Sequence, residues 1–232
     1  MITSTQLDVW TWDLDHPPLD RQRLETALDQ SELRRAERFR SAQGRNRFVA
    51  GRGYLRLILG RYTGIEPRSI EFTYGKWGKP ALRPASNPGN VTFNLSHSEN
   101  VAAVAVAKDA PTGIDVERVV PADVDLATPC LSEAERRAWE SLTGREADVM
   151  FFERWTRKEA ITKAIGVGLN LPLHQIEITG DLGRAPNGLR HGAASEQSSI
   201  WRLYPFEPTP GFVGAVASEA TALQVRMISA LP

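Results

Sequence analysis

Apolar and polar residues alternate from Leu7 to Leu14 (LDVWTWDL), the period of a strand with one buried face. From Arg21 to Phe39 the pattern turns charged and helical, with Leu24, Leu28, Leu33 and Phe39 on one side, until Gly44 interrupts it. Arg47 to Arg61 predicts a second helix on Phe48, Leu55, Leu57, Ile58 and Leu59, stopped by Thr63-Gly64 ahead of Pro67. A strand is expected at Ser69 to Tyr74. After it come turn-rich Gly75 to Pro80, a loop to Asn90, a strand at Val91 to Leu95, a polar corner at Ser96 to Asn100 and a strand at Val101 to Ala107.

The second half replays this order. Phe151 to Ile165 is amphipathic and helical, Gly166 and Gly168 end it, Pro172 follows, and His174 to Thr179 reads as a strand. In each half a helix closes at glycine, crosses a proline, enters a strand beginning Ile-Glu-apolar, and finishes on a small-residue strand, Val101 to Ala107 or Phe212 to Ala217. The expectation is an α+β fold of two similar lobes related by a pseudo-twofold, each a helix packed on a small, mainly antiparallel sheet. The boundary is expected near residue 110, giving lobes 1–110 and 111–232, with the ligand in the cleft between them. Gly183 to Ser199, rich in Gly, Ser and Ala, reads as an exposed loop.

Composition narrows the field. In 232 residues, 28 Lys and Arg balance 28 Asp and Glu, which argues against sequence-independent binding to nucleic acid or anionic membranes. The single cysteine, Cys130, cannot form an internal disulfide, and four histidines offer no multi-ligand structural zinc site. Met1 to Asp15 lacks a basic segment followed by an apolar run, and the purest apolar stretch, Val101 to Ala107, is far too short to cross a membrane. A cytoplasmic protein is expected.

Three segments carry candidate chemistry. If Gly113-Ile114-Asp115-Val116-Glu117 is a strand, Asp115 and Glu117 share a face. Two carboxylates so placed repel unless a cation lies between them, and oxygen ligands suit magnesium; a solvated strand face is the bland alternative. On a helix, Glu159 and Lys163 lie one turn apart, which fits either a third carboxylate completing that metal site or an ordinary surface pair. In Ser96-His97-Ser98-Glu99-Asn100 the histidine is placed either to reach an anionic oxygen or as an incidental member of a turn. Proline biases Lys79 of Gly78-Lys79-Pro80 to an extended backbone, and Arg34 to Arg52 offers many guanidinium forks, Arg47 and Arg52 being the more rigidly placed.

Taken together and in order, Gly78-Lys79-Pro80, Phe93-Asn94-Leu95-Ser96-His97-Ser98, Gly113-Ile114-Asp115-Val116-Glu117 and Trp155-Thr156-Arg157-Lys158-Glu159-Ala160 with Lys163, Gly166 and Gly168-Leu169 resemble a 4′-phosphopantetheinyl transferase of the surfactin-synthetase type. The resemblance runs from about Arg35 to Pro172 and implies a pseudo-dimeric α+β fold with coenzyme A between the lobes, coenzyme contacts in the first and magnesium and catalytic residues in the second. It implies Asp115, Glu117 and Glu159 as magnesium ligands, and Glu159, Lys163 and Asp115 as the catalytic group. It makes Ser96 and His97 a phosphate-binding pair, Lys79 with Gly78 and Pro80 an adenine and phosphate contact, and Lys158 a further coenzyme contact. Lys163 also faces the coenzyme phosphate, and Arg35 and Arg47, with Arg52 beside them, are offered to its 3′-phosphate.

The implied reaction moves the phosphopantetheine arm of coenzyme A onto a serine hydroxyl of an acyl, aryl or peptidyl carrier protein, of the kind that serves nonribosomal peptide and polyketide assembly. Adenosine 3′,5′-bisphosphate is released, with magnesium on the pyrophosphate. Two lobes in one chain point to a monomer. Two other readings stay open: a metal-dependent nuclease using the same carboxylates and lysine, and an adaptor that only docks carrier domains. Nucleic-acid cleavage would mark the first, and failure to consume coenzyme A the second.

Overall fold

The computed structural model describes residues 2–168, 171–184, 200–219 and 224–228. Most of the segment expected to be an exposed loop, residues 185–199, lies outside these, as does Leu169; Gly183 and Arg184 belong to a strand.

The first lobe runs β1 (Gln6–Asp13), α1 (Arg21–Thr26), α2 (Gln30–Glu37), α3 (Ala42–Thr63), β2 (Phe72–Tyr74), β3 (Pro80–Leu82), β4 (Val91–Ser98) and β5 (Val101–Lys108). The second repeats the order: β6 (Thr112–Arg118), α4 (Val124–Cys130), α5 (Glu133–Glu140), α6 (Arg145–Ile165), β7 (Glu177–Thr179), β8 (Leu182–Arg184), β9 (Ile200–Phe206) and β10 (Phe212–Ser218). The expected duplication is therefore present element by element. A last strand, β11 (Gln224–Ile228), crosses back and pairs parallel to β1, giving sheets ordered β11-β1-β5-β4 and β6-β10-β9-β8-β7, while β2 and β3 form a separate hairpin.

Side-chain alternation builds four layers, helix, sheet, sheet and helix. Trp10, Trp12, Val104 and Val106 face α3, whereas Leu7, Val9, Ala103 and Ala105 face Ile114, Val116 and Val216 of the other sheet. Ala215 and Ala217 face α6. This explains why Val101 to Ala107 has no polar residue: β5 is buried on both faces. No helix of the described residues is long and apolar enough to cross a membrane.

Several expected boundaries shift for identifiable reasons. Arg21 to Phe39 is two helices, because Asp29 caps the second through a reciprocal box with Glu32. Gly44 does not interrupt a helix; it lies in the first turn of α3, where its amide donates to the Ser41 cap. Single 3₁₀ turns at Pro67–Ser69 and Leu173–Gln175 shorten the strands expected at Ser69 and His174. Finally, β4 runs on through Ser98, so the corner is Glu99-Asn100, with Glu99 at φ 50°.

Candidate active site

Gly113 decides where the second lobe's carboxylates stand. A Cβ at this position would lie 2.1 Å from the Ala160 carbonyl oxygen and 2.3 Å from the Ala164 amide nitrogen, so only glycine lets β6 press against α6. Residues 113, 115 and 117 share that face. Asp115 is thereby carried to the side of α6 that presents Glu159 and Lys163, while Ile114 and Val116 enter the core between the sheets. The alternative of a solvated strand face is excluded, since Asp115 is only 2% exposed and Glu117 is half-buried.

The first lobe contributes through β4, whose alternate residues divide their work. Asn94 Oδ1 accepts from the Ile114 amide at 2.9 Å, Ser96 Oγ donates to Asp115 Oδ1 at 2.9 Å, and Ser98 Oγ donates to Glu117 Oε2 at 2.7 Å. Lys163 Nζ closes the cluster on Asp115 Oδ1 at 2.6 Å and Ser96 Oγ at 2.9 Å. On the opposite face of β4, Leu95 and His97 line a cavity of about 650 Å³. Ser96 and His97, expected as one phosphate-binding pair at a corner, are thus separated by the strand: Ser96 belongs to the carboxylate cluster and His97 to the cavity. Asn94 and Ser98 were not singled out from the sequence, although period-two spacing from Ser96 would have found both.

Three carboxyl groups face one ammonium here, so acidic groups outnumber cations. Burial first, and then the other carboxylates, push Glu159 up to about 7 and raise Glu117; burial raises Asp115 against the pull of Lys163. Asp115 Oδ2 and Glu159 Oε1 are buried without a hydrogen-bond partner among the described residues. Orphaned hard oxygens where acidic groups outnumber cations fit a divalent cation. Among the described residues no group of three or more His, Cys, Asp and Glu is drawn together as a metal cage. Asp115, Glu117 and Glu159, expected as three ligands of one magnesium ion, are therefore not drawn into one three-carboxylate cage.

The cavity is walled by Arg35, Arg47, Arg52, Gly78, Pro80 and His97, six residues expected at the coenzyme. Burial and the Lys163 charge hold His97 below the usual imidazole range, and cavity and cluster meet across β4, where Ser96 and His97 are consecutive. Arg47 is already paired bidentately with Asp15 at 2.7 Å, and Arg52 Nε donates to Glu32 at 2.7 Å while its guanidinium lies over Phe72. Arg35, over the Phe48 ring, makes no ion pair among the described residues. It is shared with an adjoining recess that Arg34, Arg38 and Arg40 also line.

Two expected coenzyme contacts lie elsewhere. Lys158 is fully buried on the far side of α6, where Nζ donates to the Cys130 carbonyl at 2.9 Å and pairs with Glu135. Lys79 is adjacent to the cavity in sequence, yet its ammonium points away and donates to the Ala164 and Thr112 carbonyls at 3.0 and 3.1 Å.

Residues 111–217 match the family model described as the 4'-phosphopantetheinyl transferase superfamily, and residues 17–109 match the one described as 4'-phosphopantetheinyl transferase, N-terminal. The chain is 37% identical over 218 residues to 4'-phosphopantetheinyl transferase HetI of Nostoc sp., covering 93% of this chain and 89% of HetI. A putative 4'-phosphopantetheinyl transferase of Synechocystis sp. is 31% identical over 74% of this chain and 69% of its own. Identity to 4'-phosphopantetheinyl transferase Sfp of Bacillus subtilis is 25%, over 68% and 69%.

Proposed function

The chain belongs to the 4′-phosphopantetheinyl transferase family, enzymes that move phosphopantetheine from coenzyme A to a carrier protein, and from that premise we propose a magnesium-dependent transfer that releases adenosine 3′,5′-bisphosphate. The observation that carries it is the pair of buried, unpartnered oxygens, Asp115 Oδ2 and Glu159 Oε1, beside Lys163 and next to an arginine-walled cavity.

In this reading the coenzyme lies in the cavity against Gly78, Pro80 and His97. Its 3′-phosphate meets Arg35, the cavity arginine with no carboxylate partner, while Arg47 and Arg52 line the approach from their pairs with Asp15 and Glu32. Asp115 and Glu159 hold magnesium, Glu117 standing behind them on its Ser98 hydrogen bond. Bound there, magnesium would supply charge neutralisation at the pyrophosphate. Glu159 takes the proton of the carrier serine. Lys163, oriented by Asp115 and Ser96, steadies charge on the transferred phosphate, and His97 donates to a neighbouring phosphate oxygen.

Residues 1–110 form the coenzyme lobe and 111–232 the catalytic lobe. The turn between β5 and β6 supports that division, although β11 returns to the first sheet. The surfactin-synthetase type, a monomeric state and a cytoplasmic location belong to the same proposal, the monomer supported by two lobes of the same element order in one chain. The carriers are acyl, aryl or peptidyl domains, without nucleic acid or membrane as partner.

Mass spectrometry of a carrier protein incubated with this protein and coenzyme A tests the proposal. One phosphopantetheine gained with magnesium, none with a chelator, and adenosine 3′,5′-bisphosphate as co-product are expected. Transfer unaffected by chelation would remove the metal from the reading.

A further inference from the structure

Lys79 emerges from a tightly fixed turn. The Gly75 amide donates to the Lys79 carbonyl at 2.9 Å, the Gly78 amide donates to the Gly75 carbonyl at 2.9 Å, Gly78 sits at φ 79°, and Pro80 begins β3 opposite Tyr74. The side chain leaves the cavity wall and runs along the end of α6, where a Cβ on Gly166 would lie 3.5 Å from Lys79 Cδ.

Its two acceptors mark a particular place. Thr112 precedes Gly113, the residue pressed against α6, and Ala164 supplies the amide against which Gly113 is pressed. Ala164 also follows Lys163 directly and lies just over one turn beyond Glu159. One ammonium therefore joins the first lobe's hairpin, the start of β6 and the last turn of α6 at the contact that brings the carboxylates together. A helix's last carbonyls lack partners within the helix and attract a cation.

The arrangement is a poor device for stability alone. Among the described residues Lys79 has no carboxylate partner, and burial lowers it from the ordinary lysine value to about 8. An apolar chain would avoid that cost but would leave the Ala164 and Thr112 carbonyls without this donor.

We propose that Lys79 is a positioning residue for transfer, locking the end of α6, and with it Glu159 and Lys163, to β6 and to the hairpin that walls the coenzyme cavity. This rests on the transferase reading.

The test is Lys79→Met, compared with wild type in kcat, KM and calorimetric Kd for coenzyme A, and amide hydrogen exchange over residues 162–168. A loss of kcat of about tenfold or more is expected, because small misplacements of reacting groups are costly, with KM and Kd changed by less than about threefold. Exchange at the end of α6 should accelerate by about tenfold, while exchange in β1 and β5 stays within about twofold of wild type. A Kd raised about tenfold with kcat unchanged would make Lys79 a direct coenzyme ligand and overturn the proposal, as would kcat and exchange both within about twofold of wild type. If Lys79→Met does not fold, Lys79→Gln, which keeps one donor, is read by the same criteria. A wild-type protein that modifies no carrier would sink the transferase reading instead, and the exchange measurement would still decide whether the latch exists.

Discussion

The two long helices, α3 and α6, are the same device used twice. Each ends on a left-handed glycine, Gly64 at φ 72° and Gly166 at φ 84°. Eight positions before it (56 to 64, 158 to 166) stands a fully buried cation, Arg56 or Lys158. Each cation is gripped by the glutamate of a capping box on the preceding short helix, Glu32 behind Asp29 or Glu135 behind Ser132. A second arginine four residues earlier, Arg52 or Arg154, reaches the same glutamate. The helices part at positions that face the other way. Seven before the glycine α3 has Leu57, packed against the first core, where α6 has Glu159; three before it α3 has Arg61, lying over the Trp10 ring, where α6 has Lys163. In the proposed reading the shared residues are scaffold, and the differing ones carry the chemistry.

The strongest way to break this comparison is to give α6 the residue its counterpart has. Glu159→Leu should fold with an undiminished thermal midpoint, because it removes a carboxylate that burial and two neighbouring carboxylates already disfavour. Transfer should fall by about a hundredfold to a thousandfold, the loss seen when one positioned electrostatic group is removed. Carrier modification followed by mass spectrometry measures it, and activity within about threefold of wild type would return Glu159 to the scaffold.

Much of this was legible in the sequence. The Gly-Ile-Asp-Val-Glu strand and the Glu159 to Lys163 spacing fixed the shared faces, because strand and helix periods depend only on local geometry. The side-chain directions of Lys79 and Lys158, which the resemblance implied as coenzyme contacts, were not legible. Lys158 and Lys79 lie beside functional residues in the chain, but neighbours on a helix point about 100° apart, and a residue flanked by cavity walls can send its own side chain elsewhere. Ser96 and His97 were paired because the strand was expected to stop at Leu95; its true extent to Ser98 puts them on opposite faces. The clasp at Lys158 left a readable trace, the Ser132-x-x-Glu135 capping signature, without saying which distant cation it holds.

The second test removes the scaffold cation. Lys158→Met takes from largely buried Glu135 its nearest cation and leaves only Arg154 at 4.0 Å, and unfolding by denaturant should show a loss of about 3 kcal/mol, as for other broken buried pairs. Removing both partners, with Glu135→Leu added, should recover most of it. Affinity for coenzyme A should change by less than about threefold in the folded single variant. Intact stability with a Kd raised tenfold or more would instead restore Lys158 as a coenzyme contact.

The smallest effect is expected at Cys130, and the comparison says why. Both clasps finish on backbone carbonyls: Arg56 donates to those of Pro67 and Ile70, and Lys158 to that of Cys130. Any residue offers a carbonyl, so the identity of the side chain is immaterial to the clasp. The thiol itself is buried, and desolvation pushes it up to about 12, so almost no thiolate is present near neutral pH. Cys130→Ser therefore costs only the burial of a hydroxyl, about 1 kcal/mol, and transfer should stay within about twofold of wild type. Thermal unfolding and carrier modification read the two quantities separately. A folded Cys130→Ser protein that cannot transfer would show that the second clasp is no mere repeat of the first, and that the end of α4 takes part in the reaction.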